Sequence, residues 1–215
     1  MEVSLFGASG LIGNLILEIL IHDAHFNKIN VVTRRPFNST NKKVVVHSID
    51  FSDTKMISKI IQGSSVVFAS IGTTQKKVKG DKDAYRKIDY DILVNIAVAC
   101  KKNNIKNFLF VSSSGADTNN KGFYLGLKGE IEDSIIKLKL PSTSIFRPSL
   151  LLGKRNENRF GERVAQLIMP LMSFAMPSKY KPIDAKYVAS AMVNISKKTL
   201  YGSKIYHYKE IINAK

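Results

Sequence analysis

Tryptophan is missing from this chain of 215 residues, and cysteine occurs once, at Cys100. A single thiol closes no internal disulfide, so the fold has to be held by apolar burial, and the expected compartment is reducing and cytoplasmic. Histidine is scarce as well. His22, His25, His47 and His207 stand with no second thiol and no downstream carboxylate at ligand spacing, which argues against a metal centre. Long apolar runs are also lacking: residues 164–177 are too few for a bilayer-crossing helix and are interrupted by Pro170, so no membrane span is expected. The opening Met1-Glu2-Val3 shows no basic region followed by an apolar segment and a cleavage site, so no secretory leader is expected. Acid is under-represented, with 17 Asp+Glu against 33 Lys+Arg and a net charge of +16. That balance favours nucleotide phosphates, nucleic acid or an acidic membrane surface as partners. Nucleic acid is disfavoured among them, because no basic motif is interleaved with aromatics.

What is present is 44% hydrophobic residues, enough for one sizeable core. Short runs rich in Val, Ile and Phe alternate with longer segments of helical period, the pattern of a doubly wound parallel α/β sheet covered by helices on both faces. Strands are expected at 2–6, 29–33, 43–49, 65–71, 107–112, 143–146 and 204–208. Helices are expected at 11–24, 53–62, 84–103, 122–138, 158–174 (interrupted) and 184–198. No linker, repeat or low-complexity tract divides the chain, which reads as one domain over 1–215 with a small substrate-side or lid-like insertion at 154–183. Residues 75–83 carry Lys76, Lys77, Lys79 and Lys82 around Gly80, a basic loop whose first explanation is solubility.

Gly7-Ala8-Ser9-Gly10-Leu11-Ile12-Gly13 follows the first apolar run and opens the first helix. In that context glycines do three jobs: Gly7 permits a tight turn, Gly10 lets backbone approach a pyrophosphate, and Gly13 lets helix and strand pack closely. Gly7, Ser9, Gly10, Leu11, Ile12 and Gly13 are therefore cofactor-binding candidates, the phosphates lying at a helix N-terminus. Where an NAD site places an acid, some 20 residues on, stand Thr33, Arg34 and Arg35. Two guanidinium groups attract a 2′-phosphate, so NADP(H) is favoured over NAD(H).

Tyr124 and Lys128 are four residues apart and share a helix face. A nearby ammonium lowers a phenol pKa and makes it usable as an acid/base at a carbonyl oxygen. The spacing alone recurs by chance; its position after the strand ending Ser112-Ser113-Ser114 supplies the specificity, with Ser113 placed to polarise a carbonyl.

The spacing Gly-x-x-Gly-x-x-Gly resembles the short-chain dehydrogenase/reductase superfamily. Within it, Asp50-Phe51 fits an adenine-edge contact and Gly72-Thr73-Thr74 a backbone approach to the cofactor's ribose. Gly72-Thr73-Thr74, the run Val111 to Asp117, Tyr124-Leu125-x-x-Lys128-Gly129-Glu130-x-Glu132, Phe146-Arg147-Pro148 and Arg155-x-x-x-Arg159-x-Gly161-Glu162 occur in one order. Together they resemble the atypical short-chain branch of Tat-interacting-protein-like oxidoreductases, related to NmrA-like and epimerase-like proteins. The resemblance spans nearly the whole chain. It implies a Rossmann sheet binding NADP(H), with Ser113, Tyr124 and Lys128 as the Ser-Tyr-Lys set, Lys128 also reaching the nicotinamide ribose, and Pro148 near the nicotinamide. Gly122, Gly126 and Gly129 depart from a rigid helix start, since glycine costs up to about 1 kcal/mol per helical position. The leading expectation is an NADP(H)-dependent oxidoreductase acting on a small carbonyl or alcohol. The alternative is a noncatalytic NADP(H)-binding regulator or scaffold. The roughly 60 residues after Gly153 favour a compact substrate over a nucleotide sugar. Met169, Met172 and Met176 make an apolar patch suited to a substrate pocket or a contact between copies of the chain.

Overall fold

Seven short strands line up in parallel; the five inner ones are buried on both faces, and the two edge strands stay largely open to solvent. The structure is a computed structural model that describes residues 1–73, 78–153 and 177–215. Strands β1 (Glu2–Phe6), β2 (Lys28–Thr33), β3 (Val44–Ser48), β4 (Val66–Ala69), β5 (Asn107–Val111), β6 (Ser142–Phe146) and β9 (Gly202–Tyr206) form one sheet in the order β3-β2-β1-β4-β5-β6-β9. A second, two-stranded parallel sheet joins β7 (Leu151–Leu152) to β8 (Ile183–Asp184).

Side chains alternate along each strand, so the sheet has two cores. Val3 and Leu5 of β1 face α1 (Leu11–His22), α6 (Ala185–Ser196) and α7 (Tyr208–Ala214), packing with Ile16, Leu20, Val188 and Met192. Phe6 faces the other way, onto α2 (Thr54–Ile61), α4 (Ile92–Lys102) and α5 (Phe123–Lys137), among Ile57, Ile96, Ile131 and Ile135. Cys100 is fully buried in this second core, where burial pushes its thiol well above the ordinary range.

The expected helix over 84–103 is three pieces: α3 (Lys82–Arg86), a π-helical turn over Lys87–Asp91, and α4. The last strand runs Gly202–Tyr206 rather than over 204–208, because His207 caps α7 and Tyr208 opens it. The helix expected at 158–174, the methionine patch, the motif from Arg155 to Glu162 and most of the 154–183 insertion lie outside the described residues. Among the described residues no helix is long and apolar enough to cross a membrane.

Strand order reverses beside β1, whose neighbours are β2 on one side and β4 on the other. Parallel sheets open a crevice beyond the carboxyl ends of the strands at such a switch point, and the Gly7 turn stands there.

Candidate functional site

At the end of β1 the chain turns through Gly7 with φ +89°, and the Gly10 N–H donates to the Gly7 carbonyl at 2.9 Å. A Cβ at Gly7 would lie 2.7 Å from the Ser70 carbonyl oxygen, and one at Gly13 only 2.0 Å from that of Gly7. These two glycines are demanded by β1, α1 and β4 themselves. Gly10 is different: its φ is −83°, and a Cβ there would meet nothing nearer than the Gly7 oxygen at 3.3 Å. Neither strain nor a severe clash requires glycine at position 10. Among the described residues no side chain caps α1, and no acid occupies its first turn, so its leading N–H groups are available to an anion. The residues thus fit a pyrophosphate. Ser9 is exposed in the turn, Leu11 is half-buried against Gly153, and Ile12 is buried and anchors the helix.

Beyond β2, Arg34 and Arg35 are both exposed, and the Thr33 hydroxyl donates to the Arg35 carbonyl at 2.9 Å. The Arg34 guanidinium lies 5.7 Å from the centroid of the buried Phe51 ring, which itself meets Phe6 edge-on. Asp50 accepts from the Ser52 N–H at 2.9 Å; bonds from Ser52, helped by the charge of Arg34, hold its carboxyl below the usual carboxylate range. An exposed acid, an aromatic ring and an exposed guanidinium therefore share the corner where β2 and β3 end.

The third group forms where β5 runs into its loop. The Ser114 N–H donates to the carbonyl of the buried Pro148 at 2.9 Å, fixing the serine run beside the end of β6. Ser112 is buried and its hydroxyl donates to Glu132; Ser113 is half-buried, with its own hydroxyl 3.4 Å from the Ser114 carbonyl. The loop packs directly on α5, because a Cβ at Gly129 would lie 2.3 Å from the Thr118 nitrogen. That glycine admits the loop rather than loosening the helix. Tyr124 is 38% exposed on the first turn of α5, while Lys128, one turn on, is 4% exposed with its ammonium 5.8 Å from the Tyr124 ring centroid. The Tyr-x-x-x-Lys spacing thus gives an accessible phenol above a buried cation.

Lys128 does not stand free. Its ammonium donates to Asp89 Oδ2 at 2.7 Å, and the other oxygen of that carboxylate accepts the Thr73 N–H at 2.7 Å. Burial works to lower the Lys128 pKa, but Asp89, Tyr124 and Glu132 outweigh it and hold the ammonium above the ordinary lysine value. The Tyr85 hydroxyl donates to the Thr73 carbonyl at 3.1 Å, and its ring stands edge-on to Tyr124. Asp89 and Tyr85 thereby tie the Gly72-Thr73 segment to the Tyr-Lys pair. Thr74 lies outside the described residues. Behind this group Arg147 grips Glu132 through Nε at 2.9 Å and through Nη2, joining β6 to α5.

Sequence reasoning did not single out Asp89, Tyr85, Glu132 or Arg147 as a connected set. A signal existed for Asp89: Tyr85, Asp89, Leu93, Ile96 and Cys100 recur at helical spacing, and a carboxylate on an otherwise apolar stripe requires a buried partner.

Residues 7–158 match the family described as NAD(P)H-binding. The chain is 34% identical over 208 residues to "Protein FMP52, mitochondrial" of Candida albicans, covering 94% of this chain and 90% of that one. It is 32% identical over 200 residues to "Protein HTATIP2" of Rattus norvegicus, covering 90% and 80%. Among solved structures, a UDP-N-acetylglucosamine 4-epimerase from Methanobrevibacter ruminantium shares the fold with TM-score 0.75 at 19% identity, over 96% of this chain and 76% of that one. MoeE5, solved with UDP-glucose and NAD, does so with TM-score 0.74 at 15% identity, over 99% and 80%. The cytoplasmic expectation is overturned by the first relative and by the Scheffersomyces stipitis and Debaryomyces hansenii proteins, all carrying "mitochondrial" in their names. A single thiol sealed in the core is inert in either compartment and never distinguished them. With the matched region running from the Gly7 turn past β7, and with the FMP52 and HTATIP2 proteins as relatives along nearly its whole length, the chain belongs to the NAD(P)H-binding Rossmann family.

Proposed function

We propose that this protein is an NADP(H)-dependent oxidoreductase acting on a small carbonyl or alcohol. The observation that carries the reading is the accessible Tyr124 above the buried Lys128 ammonium, at the same carboxyl edge of the parallel sheet as the N-terminus of α1. The nicotinamide supplies or accepts the hydride when bound. Tyr124 gives or takes the proton at the substrate oxygen, Ser113 orients that oxygen, and Lys128 sets a cation beside the phenol. Gly10 and the first turn of α1, with Ser9 and Leu11, hold the pyrophosphate; Asp50 and Phe51 border the adenine; Gly72, Thr73 and Thr74 approach the ribose, and Pro148 lies by the nicotinamide. Arg34 and Arg35 take the 2′-phosphate. The chain works as one dinucleotide-binding domain, with 154–183 on the substrate side. The named location of the yeast relatives extends to this protein as a mitochondrial one, checked by organelle fractionation.

Calorimetry with both cofactors tests the binding half. NADPH is expected to bind more tightly than NADH, and alanine at both Arg34 and Arg35 to remove most of the difference; equal affinities in the wild type would end the assignment. A panel of small aldehydes, ketones and alcohols with NADPH or NADP⁺ tests the chemistry, where Tyr124→Phe is expected to lose roughly 100-fold or more in turnover with NADPH affinity nearly intact.

One observation favours a second reading, a noncatalytic NADP(H)-binding regulator: Asp89 already engages the Lys128 ammonium that the chemistry needs. Tight NADPH binding with no hydride transfer across the panel would decide for it.

A further inference from the structure

Each helix returns antiparallel to the strands, so helix C-termini and strand N-termini gather on the edge of the sheet opposite the Gly7 turn. Three adjacent connections meet there. The α4–β5 connection carries Lys101, Lys102 and Lys106; α5–β6 carries Lys137 and Lys139; α6–β9 carries Lys197 and Lys198, all exposed. Residues 100–107, 134–142 and 195–203 contain no Asp or Glu. The connections are contiguous, because the Lys101 ammonium donates to the Lys139 carbonyl at 3.0 Å and the Gly202 N–H to the Pro141 carbonyl at 2.9 Å. Among the described residues Lys197 alone of these is paired with an acid, Asp23. Tyr201, 86% exposed, stands among them. By contrast the opposite edge mixes its basic residues with Asp50, Asp53, Asp81, Asp117 and Asp184.

Helix dipoles explain lysines in a last turn, such as Lys101, Lys102 and Lys137. They do not explain Lys106, Lys139 and Lys198, which lie beyond the helices, nor the exclusion of acid from all three connections. Nor does solubility, which acidic residues serve better than basic ones. Lysine is a mobile, strongly hydrated point charge without the fork that reads single phosphates, and the patch holds no arginine. It follows the ends of neighbouring hydrogen-bonded strands and so runs along one edge of the sheet. One exposed tyrosine does not make a base-stacking platform, but its amphipathic ring suits the headgroup level of a bilayer.

We infer that this lysine edge is a docking surface for an anionic phospholipid membrane, with Tyr201 as its interfacial anchor, leaving the cofactor edge facing away from the lipid. Co-sedimentation of the full chain with phosphatidylcholine vesicles, with and without phosphatidylserine, tests it. Binding is expected only to the anionic vesicles and to weaken as salt rises. A lysine near such a surface contributes roughly fivefold in affinity, so the triple variant Lys102→Gln, Lys106→Gln and Lys139→Gln is expected to bind roughly 100-fold more weakly. Its melting temperature and NADPH affinity are expected to stay unchanged. A charge-matched control on the opposite edge, Lys55→Gln, Lys121→Gln and Lys209→Gln, is expected to keep vesicle binding, and Tyr201→Ser to weaken it. Equal losses from both triples would reduce the effect to overall charge and overturn the surface. Retention of the chain on RNA or polyglutamate, but not on anionic vesicles, would overturn the membrane as its occupant.

Discussion

Asp89, Tyr124 and Glu132 all act on the Lys128 ammonium, and among the described residues Asp89 is the one that accepts its hydrogen bond. Both partners are almost entirely buried, so Asp89→Asn leaves a cation in the core without its counter-charge, a change worth about 3–5 kcal/mol. Urea unfolding is expected to show that loss. Replacing the pair together, Asp89→Leu with Lys128→Met, is expected to cost much less than the two single changes added, because the double variant buries no charge. Linkage gives a sign as well. The folded pKa of Lys128 is raised, so the stability it contributes is complete below the ordinary lysine pKa and is lost as pH climbs through the folded value. In alkaline unfolding the wild type is expected to lose stability relative to the double variant as pH climbs through that range, and a difference that does not change with pH would place the stabilisation elsewhere.

At the scale of elements, α1 separates what the fold needs from what a ligand needs. Gly13→Ala drives a Cβ into the Gly7 carbonyl, backbone against backbone, and is expected to destabilise by about 3 kcal/mol despite alanine's better helix propensity. Gly10→Ala keeps an ordinary φ at the cap and asks the Gly7 carbonyl to give by only a few tenths of an ångström, so it is expected to cost less than about 1 kcal/mol and to lose NADPH affinity in calorimetry. The same contrast governs what the sequence made legible. The glycine turn, β1 to its exact bounds, and the Tyr124–Lys128 helix are read directly, because strand runs and i, i+4 spacing are local properties. The two-residue strands β7 and β8 have too few positions to show alternation, and β9 opens on Gly202-Ser203, which weakens its strand signal. The π-helical turn adds a residue to a pattern that otherwise reads as one helix. That is why Asp89 was not recognised: its role depends on reaching Lys128 and Thr73, 39 and 16 residues away in sequence.

For the whole molecule, any ligand that binds only the folded chain stabilises it by mass action, by about 2.7 kcal/mol at a hundredfold excess over its dissociation constant. In a chain of this size that corresponds to a melting point roughly 5–10 °C higher. NADPH is expected to produce such a rise, NADH at equal concentration a smaller one, and alanine at both Arg34 and Arg35 to make the two shifts alike in a thermal scan. The sheet order also has a consequence in time. β1 finds β2 soon after it is made, yet its other neighbour, β4, pairs Val66 with Val3 across about 60 residues, and β6 waits as long for β9, which pairs Gly202 with Ser142. While the chain is being synthesised, β6 therefore has no partner on its outer edge and exposes Ile145 and Phe146, both fully buried in the finished sheet, until β9 has cleared the ribosome. The protein completes its fold only after synthesis has passed residue 206, and the interval before that is when a chaperone has an apolar strand edge to hold.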